Sequence, residues 1–236
     1  MQLHNHPAVK SRISGLKWPH DISDTEEYFL SSLERVSDPE YIPSDQDILR
    51  VKNESSSENG VNEIAFLHDH FSFRVFNVIQ DRTEMNKWLH YFEGISAIVF
   101  IAALDEYDKI IDNTDTNEDN RLVQSMYYFD SVCNNRYFID SAIVLFLNKV
   151  DLFKRKFSSL RFEKYFPEYI SDTEGDSLNH AVEHIKGMFE NRNRHELKRD
   201  IYTHCTSAIQ PTSIHQPLDD VADQAICSQL KHMSIY

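Results

Sequence analysis

Residues 142–147, AIVLFL, form an unbroken apolar run, and the chain then turns abruptly polar with Asn148, Lys149 and, one residue on, Asp151. A strand with one wet face alternates apolar and polar residues. A run without alternation belongs to a strand covered on both faces, the habit of parallel sheets packed between helices. Residues 95–104, ISAIVFIAAL, have the same character. Between and around these two runs lie segments with helical spacing, so the pattern predicts an α/β fold with a largely parallel sheet.

Along the chain, residues 24–36 place Tyr28, Phe29, Leu33 and Val36 on one stripe behind Ser23 or Asp24 as cap, which predicts a helix. Residues 37–50, with two prolines, read as a connector, and residues 53–60, NESSSENG, as a polar loop. Residues 64–78 read as two strands joined by a tight turn at LHDH. A short helix carrying Trp88 is expected at 84–92, a strand at 95–104 and an acidic loop at 105–120. Then follow a helix at 122–133, the strand at 141–147, a helix at 179–193, a strand running into a loop at 200–209, and a helix at 221–230.

Composition removes several function classes. The 236 residues hold 24 Lys and Arg against 38 Asp and Glu, a formal charge of -14, which opposes nucleic-acid binding and an electrostatic hold on an anionic membrane. Three cysteines far apart in sequence (Cys133, Cys205, Cys227) suit a reducing compartment rather than a disulfide framework. The N-terminal residues show no signal-peptide pattern, and Gln2 stands where myristoylation needs glycine. The run at 95–104 is about half the roughly 20 residues that span a bilayer. A cytoplasmic protein is expected, with any membrane contact made through partners.

Asp151 can accept two hydrogen bonds from the amino group and ring N–H of guanine, a pairing adenine does not offer, and losing such a pair is how a site rejects the wrong ligand. Asn148 can tether neighbouring loops, and the Lys149 stem can lie along a base. The alternative is a strand end that caps the next helix. The flanking segments bear on that choice. DTEEYFLSSLERVSDPEYIPSDQDILR, RTEMNKWLHYFEGISAIVFIAALDEYD, NRLVQSMYYFDSVCNNRYF, FLNKVDLFKRK and YTHCTSA together resemble the α subunits of heterotrimeric G proteins, nearly end to end.

That resemblance implies a partial Ras-like GTPase domain at 51–236, a mostly parallel sheet flanked by helices, with a remnant of the family's all-helical insertion domain and linker at 1–50. It implies a signalling role downstream of G-protein-coupled receptors, with GTP or GDP as ligand. Asn148, Lys149, Asp151 and Ala208 would be the guanine contacts, the last through its backbone N–H. Leu49 and Arg50 would be switch I contacts; strict register makes Arg50 the earlier of two arginines and puts Lys52 at the arginine finger, whereas a slip of two residues makes Arg50 the finger. One of Ser55, Ser56 and Ser57 would stand where the family holds magnesium. Arg82, Lys87 and Trp88 match the surface used for the βγ dimer and effectors, although Trp88 reads equally well as core. Leu230, Ile235 and Tyr236 lie in the receptor-binding tail, where Met233 replaces the cysteine that pertussis toxin modifies. The expected location is cytoplasmic or peripheral at the inner face of the plasma membrane.

Other family features have no counterpart. A phosphate-cradling loop needs closely spaced glycines followed by Lys and Ser or Thr; the five glycines here (Gly15, Gly60, Gly94, Gly175, Gly187) are scattered. The resemblance implies that this chain starts partway through the helical insert, with the first strand and phosphate loop before Met1. In the third strand's D-x-x-G-Q pattern, Asn77 stands for Asp, Ile79 and Gln80 for the glycines, and Asp81 for Gln. A carboxylate facing phosphate is a like-charge penalty. These departures argue against hydrolysis and leave a non-enzymatic interaction module, competing for receptor, βγ or effector, as the alternative. Without its first strand, the sheet is expected either to close by pairing residues 71–78 with 95–104 or to fold poorly.

Among the histidines, His180 and His184 have a metal-compatible i, i+4 spacing on a helix but no third ligand in sequence; His4/His6 and His68/His70 are weaker candidates. The acidic loop lacks calcium-ligand order. His204 and Cys205 are adjacent on a strand and face opposite ways, which defeats a catalytic dyad.

Overall fold

The computed structural model describes residues 24–51, 61–78, 92, 94–110, 120–170, 177–194 and 199–232. The chain divides into two compact units, Met1–Ser56 and Ser57–Tyr236.

Among its described residues the first unit contains three short helices: α1 (Asp24–Ser31), α2 (Leu33–Val36) and α3 (Asp45–Arg50). The expected single helix at 24–36 is broken at Ser32, beside Ser31, whose hydroxyl donates to the Tyr28 carbonyl at 2.8 Å and competes with the helical ladder. The expected connector instead contains α3. Its start is a capping box: Asp47 N–H donates to Ser44 Oγ at 3.3 Å and Ser44 N–H to Asp47 Oδ2 at 2.7 Å. Asp47 is buried and also takes both Arg35 Nη atoms at 2.7 Å and the Tyr28 hydroxyl at 2.9 Å. Arg35 beside it holds the Asp47 carboxyl far below the usual carboxylate range.

The second unit begins with an antiparallel hairpin, β1 (Val61–His68) and β2 (Phe71–Val78), turning through Asp69 and His70. Asp69 has φ 50°, the left-handed conformation that Asp tolerates better than most residues. A three-stranded parallel sheet follows, in order β3 (Ala97–Ala103), β4 (Ala142–Asn148), β5 (Ile201–Cys205). The helices are α4 (Arg121–Cys133), α5 (Val150–Phe157), α6 (Ser177–Glu190) and α7 (His215–His232).

Alternation along β4 divides the core in two. Ile143, Leu145 and Leu147 point into the main cluster with Leu122, Met126, Phe129 and Cys133 of α4 and Ile185 and Phe189 of α6. Val144 and Phe146 point the other way, against Val221 of α7 and Phe73 of the hairpin. Four residues of α4 (Leu122, Met126, Phe129, Cys133) are buried at i, i+4, i+7, i+11, the spacing expected from the sequence.

Two expectations are corrected. The hairpin does not close the sheet: β2 pairs with β1, and no β2–β3 ladder forms among the described residues. β3, read as covered on both faces, leaves Val99 and Ile101 exposed. Its Ile98, Phe100 and Ala102 face the main cluster, while on the opposite face Ala97 packs beside Val144 and Phe146. The helix expected at 84–92 lies outside the described residues apart from Phe92, which is buried against Phe138.

Candidate guanine-nucleotide site

The parallel register brings three strand ends to one edge: Ala103 pairs with Asn148, and Leu147 with Cys205. The crevice beyond the carboxyl ends of parallel strands is where open α/β sheets bind ligands. Here it receives the segments after Ala103, Asn148 and Cys205.

Asn148 ends β4, and Lys149 adopts φ 61°, ψ 37° before α5 begins. A left-handed non-glycine residue stores on the order of 1–3 kcal/mol and survives only where its surroundings enforce it. Two contacts do so: Val150 N–H donates to Thr206 O at 3.2 Å, and Thr206 N–H to Leu147 O at 2.9 Å. The Asn148 side-chain oxygen then accepts from Ala208 N–H at 3.0 Å and from Thr206 Oγ1 at 3.3 Å. Ser207 Oγ donates to Asp151 Oδ1 at 2.8 Å. Thr206 and Ser207 are buried, whereas Ala208 is exposed. Ser213 fixes the loop from behind, taking Ser207 N–H at 3.1 Å and donating to Ser207 O at 2.7 Å.

The third strand end adds a residue that the sequence reading missed. Asp105, two residues past β3 and buried, lies 3.2 Å from Lys149 Nζ through Oδ1. Lys156 of α5 donates to the Asp105 carbonyl at 2.7 Å and sits 2.6 Å from Asp108. The Lys149 stem is thereby anchored at its tip. The signal was topological: two residues past β3 is the height of Lys149 only once β3 and β4 are neighbours in parallel register.

The structure thus gathers Asn148, Lys149, Asp151 and Ala208 into one corner. Asn148, Asp151 and the Thr206–Ala208 loop make a polar frame, the Ala208 N–H tied to Asn148 and the Asp151 carboxylate held by Ser207.

A family model described as G-protein alpha subunit matches residues 1–225. The chain belongs to the G-protein alpha subunit family. Its parallel three-stranded sheet flanked by helices is accordingly that of a partial Ras-like GTPase fold, and the chain is a G-protein alpha-like signalling protein. No helix among the described residues is long and apolar enough to cross a membrane.

Of the family's other expected positions, Leu49, Arg50 and Leu230 lie among the described residues. Arg50, at the end of α3, is ion-paired with Asp24, and its guanidinium stands over the Tyr28 ring at 4.5 Å. Leu49 beside it is exposed. Lys52, Ser55, Ser56, Ser57, Asp81, Arg82, Lys87, Trp88, Ile235 and Tyr236 lie outside the described residues; Leu230 is half-buried on α7. His180 and His184 pack against the Tyr169 ring at 5.2 and 5.5 Å, and burial pushes the His184 pKa down. They join no group of three metal-ligating side chains among the described residues.

Proposed function

We propose that this alpha-subunit relative binds guanine nucleotides by the base, through Asn148, Lys149, Asp151 and the Ala208 N–H, and signals downstream of G-protein-coupled receptors in concert with a βγ dimer. The observation that carries the reading is the Asn148-centred frame. Its amide oxygen receives the Ala208 N–H at 3.0 Å, which ties down the loop, and Ser207 holds Asp151 at 2.8 Å; on this reading the Ala208 N–H exchanges the Asn148 oxygen for the base when guanine binds. Such preorganisation lowers the ordering cost of binding. Membrane contact, on this reading, comes through the partners.

Hydrolysis is not part of the proposal. The 236 residues contain no glycine-rich phosphate loop, and Asp81 stands where the family places its water-orienting glutamine. Arg50 is engaged by Asp24 and Tyr28 within its own unit. A phosphate-bound magnesium would need a ligand from Ser55, Ser56 or Ser57.

One observation favours a second reading, a non-catalytic interaction module. Val99 and Ile101 of β3, and Ile64, Leu67, Val75 and Phe76 of the hairpin, leave apolar side chains exposed, and exposed apolar surface is what a docking partner would cover. Thermal melts of the full chain with millimolar GDP, with ADP as control, separate the two. The guanine reading expects a GDP-specific rise in Tm. No shift with GDP, on a cooperative melt, would overturn it in favour of the module.

A further inference from the structure

We propose that the β1–β2 turn and the N-terminal turns of α7 form a binding site for a divalent transition-metal ion, zinc(II) foremost. His68 closes β1, Asp69 opens the turn and Asp219 lies on α7, and one ligating atom from each falls within 4.8 Å of the others. His68 Nε2 already stands 2.8 Å from Asp219 Oδ1, across 151 residues of sequence. His215 stands just outside this group of three and would have to turn in to supply a fourth donor. His215 precedes Asp219 by one helical turn on the same face of α7, and its ring centroid is 5.9 Å from that of His68.

The donor chemistry selects the ion. Zinc takes four ligands tetrahedrally at about 2.0–2.2 Å from imidazole nitrogen and carboxylate oxygen. Calcium and magnesium want six or more oxygens, so an imidazole-containing set disfavours them. Donors around a tetrahedral zinc lie about 3.3–3.5 Å apart, so a 4.8 Å cluster needs only a modest closure. Asp69, Asp219 and His215 are exposed. His68 is the fixed member: it is half-buried, with the Phe73 ring edge-on at 6.3 Å. An ion here would also neutralise two carboxylates in a chain of formal charge -14. Because its ligands come from the hairpin and from α7, it binds the folded unit and not the unfolded chain, which couples occupancy to stability. None of the guanine-corner residues takes part.

The test uses the full chain, stripped of metal, titrated with zinc chloride by calorimetry and with cobalt(II) by absorption. Wild type should bind one equivalent, show tetrahedral d–d bands without a thiolate charge-transfer band, and gain thermal stability with zinc. His68→Ala and Asp219→Asn should each weaken binding at least tenfold, and His180→Ala should leave it unchanged. Asp69→Asn, at the exposed turn, repeats the test without touching α7 or the strand. Absence of binding, a thiolate band, or unchanged affinity in these ligand variants would overturn the proposal.

Discussion

β3 and β4 are built from nearly the same residues, AIVFIAA and AIVLFLN, and lie side by side in parallel register, yet β4 buries six of its seven residues and β3 one. The difference lies in their neighbours. β4 has a strand on each side, α4 and α6 over one face, and Val221 and Phe73 over the other. β3 has a ladder partner on one side only among the described residues, and Val99 and Ile101 on its other face stay partly exposed. An apolar run therefore specifies a strand and its capacity for burial, while the surrounding topology decides how much is used.

The largest expected effect tests that contrast directly. Leu145→Ala should cost about 2–5 kcal/mol, a buried leucine leaving a cavity, whereas Ile101→Ala, 61% exposed, should cost under about 1 kcal/mol. Urea unfolding of both variants reads the difference, and equal costs would mean that the Val99–Ile101 face of β3 is covered.

A smaller effect belongs to the strand ends. Asn148→Ala leaves the Ala208 N–H and Thr206 Oγ1 without their acceptor, at a cost of about 1 kcal/mol, since Ala208 can turn to water. Amide exchange should quicken at Ala208 while Ile143 to Leu147 remain protected; unchanged exchange at Ala208 would show that Asn148 does not hold the loop.

The same contrast of covered and uncovered groups recurs in the first unit, between buried Asp47 and exposed Asp45. Arg35 depresses the Asp47 pKa, so the folded state holds this proton less tightly than the unfolded chain. The resulting stability is fully present above the unfolded carboxylate value, about 3.9, and is lost as the pH falls from there towards the folded value. Asp47→Asn should flatten the acid limb of an unfolding titration between pH 5 and the lowest reachable pH, about 2. Asp45→Asn is the control, and an acid limb identical to wild type in Asp47→Asn would remove Asp47 from the account.

What could be read from sequence follows the same lines. The elements with unambiguous period were legible: α4 from its heptad-like spacing, β4 from its unbroken run, the hairpin from its tight turn. Short elements set by polar contacts were not. α3 hangs on a Ser44–Asp47 capping box inside a proline-rich segment, and the break at Ser32 on a serine hydroxyl. In the guanine corner, Asn148, Lys149 and Asp151 fall within four residues and so were visible, and family resemblance supplied Ala208. Asp105 was invisible because it reaches Lys149 only through the parallel register of β3 and β4. His68, Asp69 and Asp219 were hidden by 151 residues of separation.

The most direct test of the central claim is to exchange the base and Asp151 together. An aspartate accepts from the guanine amino group; an asparagine can instead donate to the carbonyl that xanthine carries at the same position. Fluorescent GDP should bind wild type and be displaced by GDP but not by xanthosine diphosphate, and Asp151→Asn should reverse that order, with at least a tenfold change in the ratio of the two affinities. An unchanged preference in Asp151→Asn, or no nucleotide binding by the wild-type chain, would contradict the assignment of this corner to guanine.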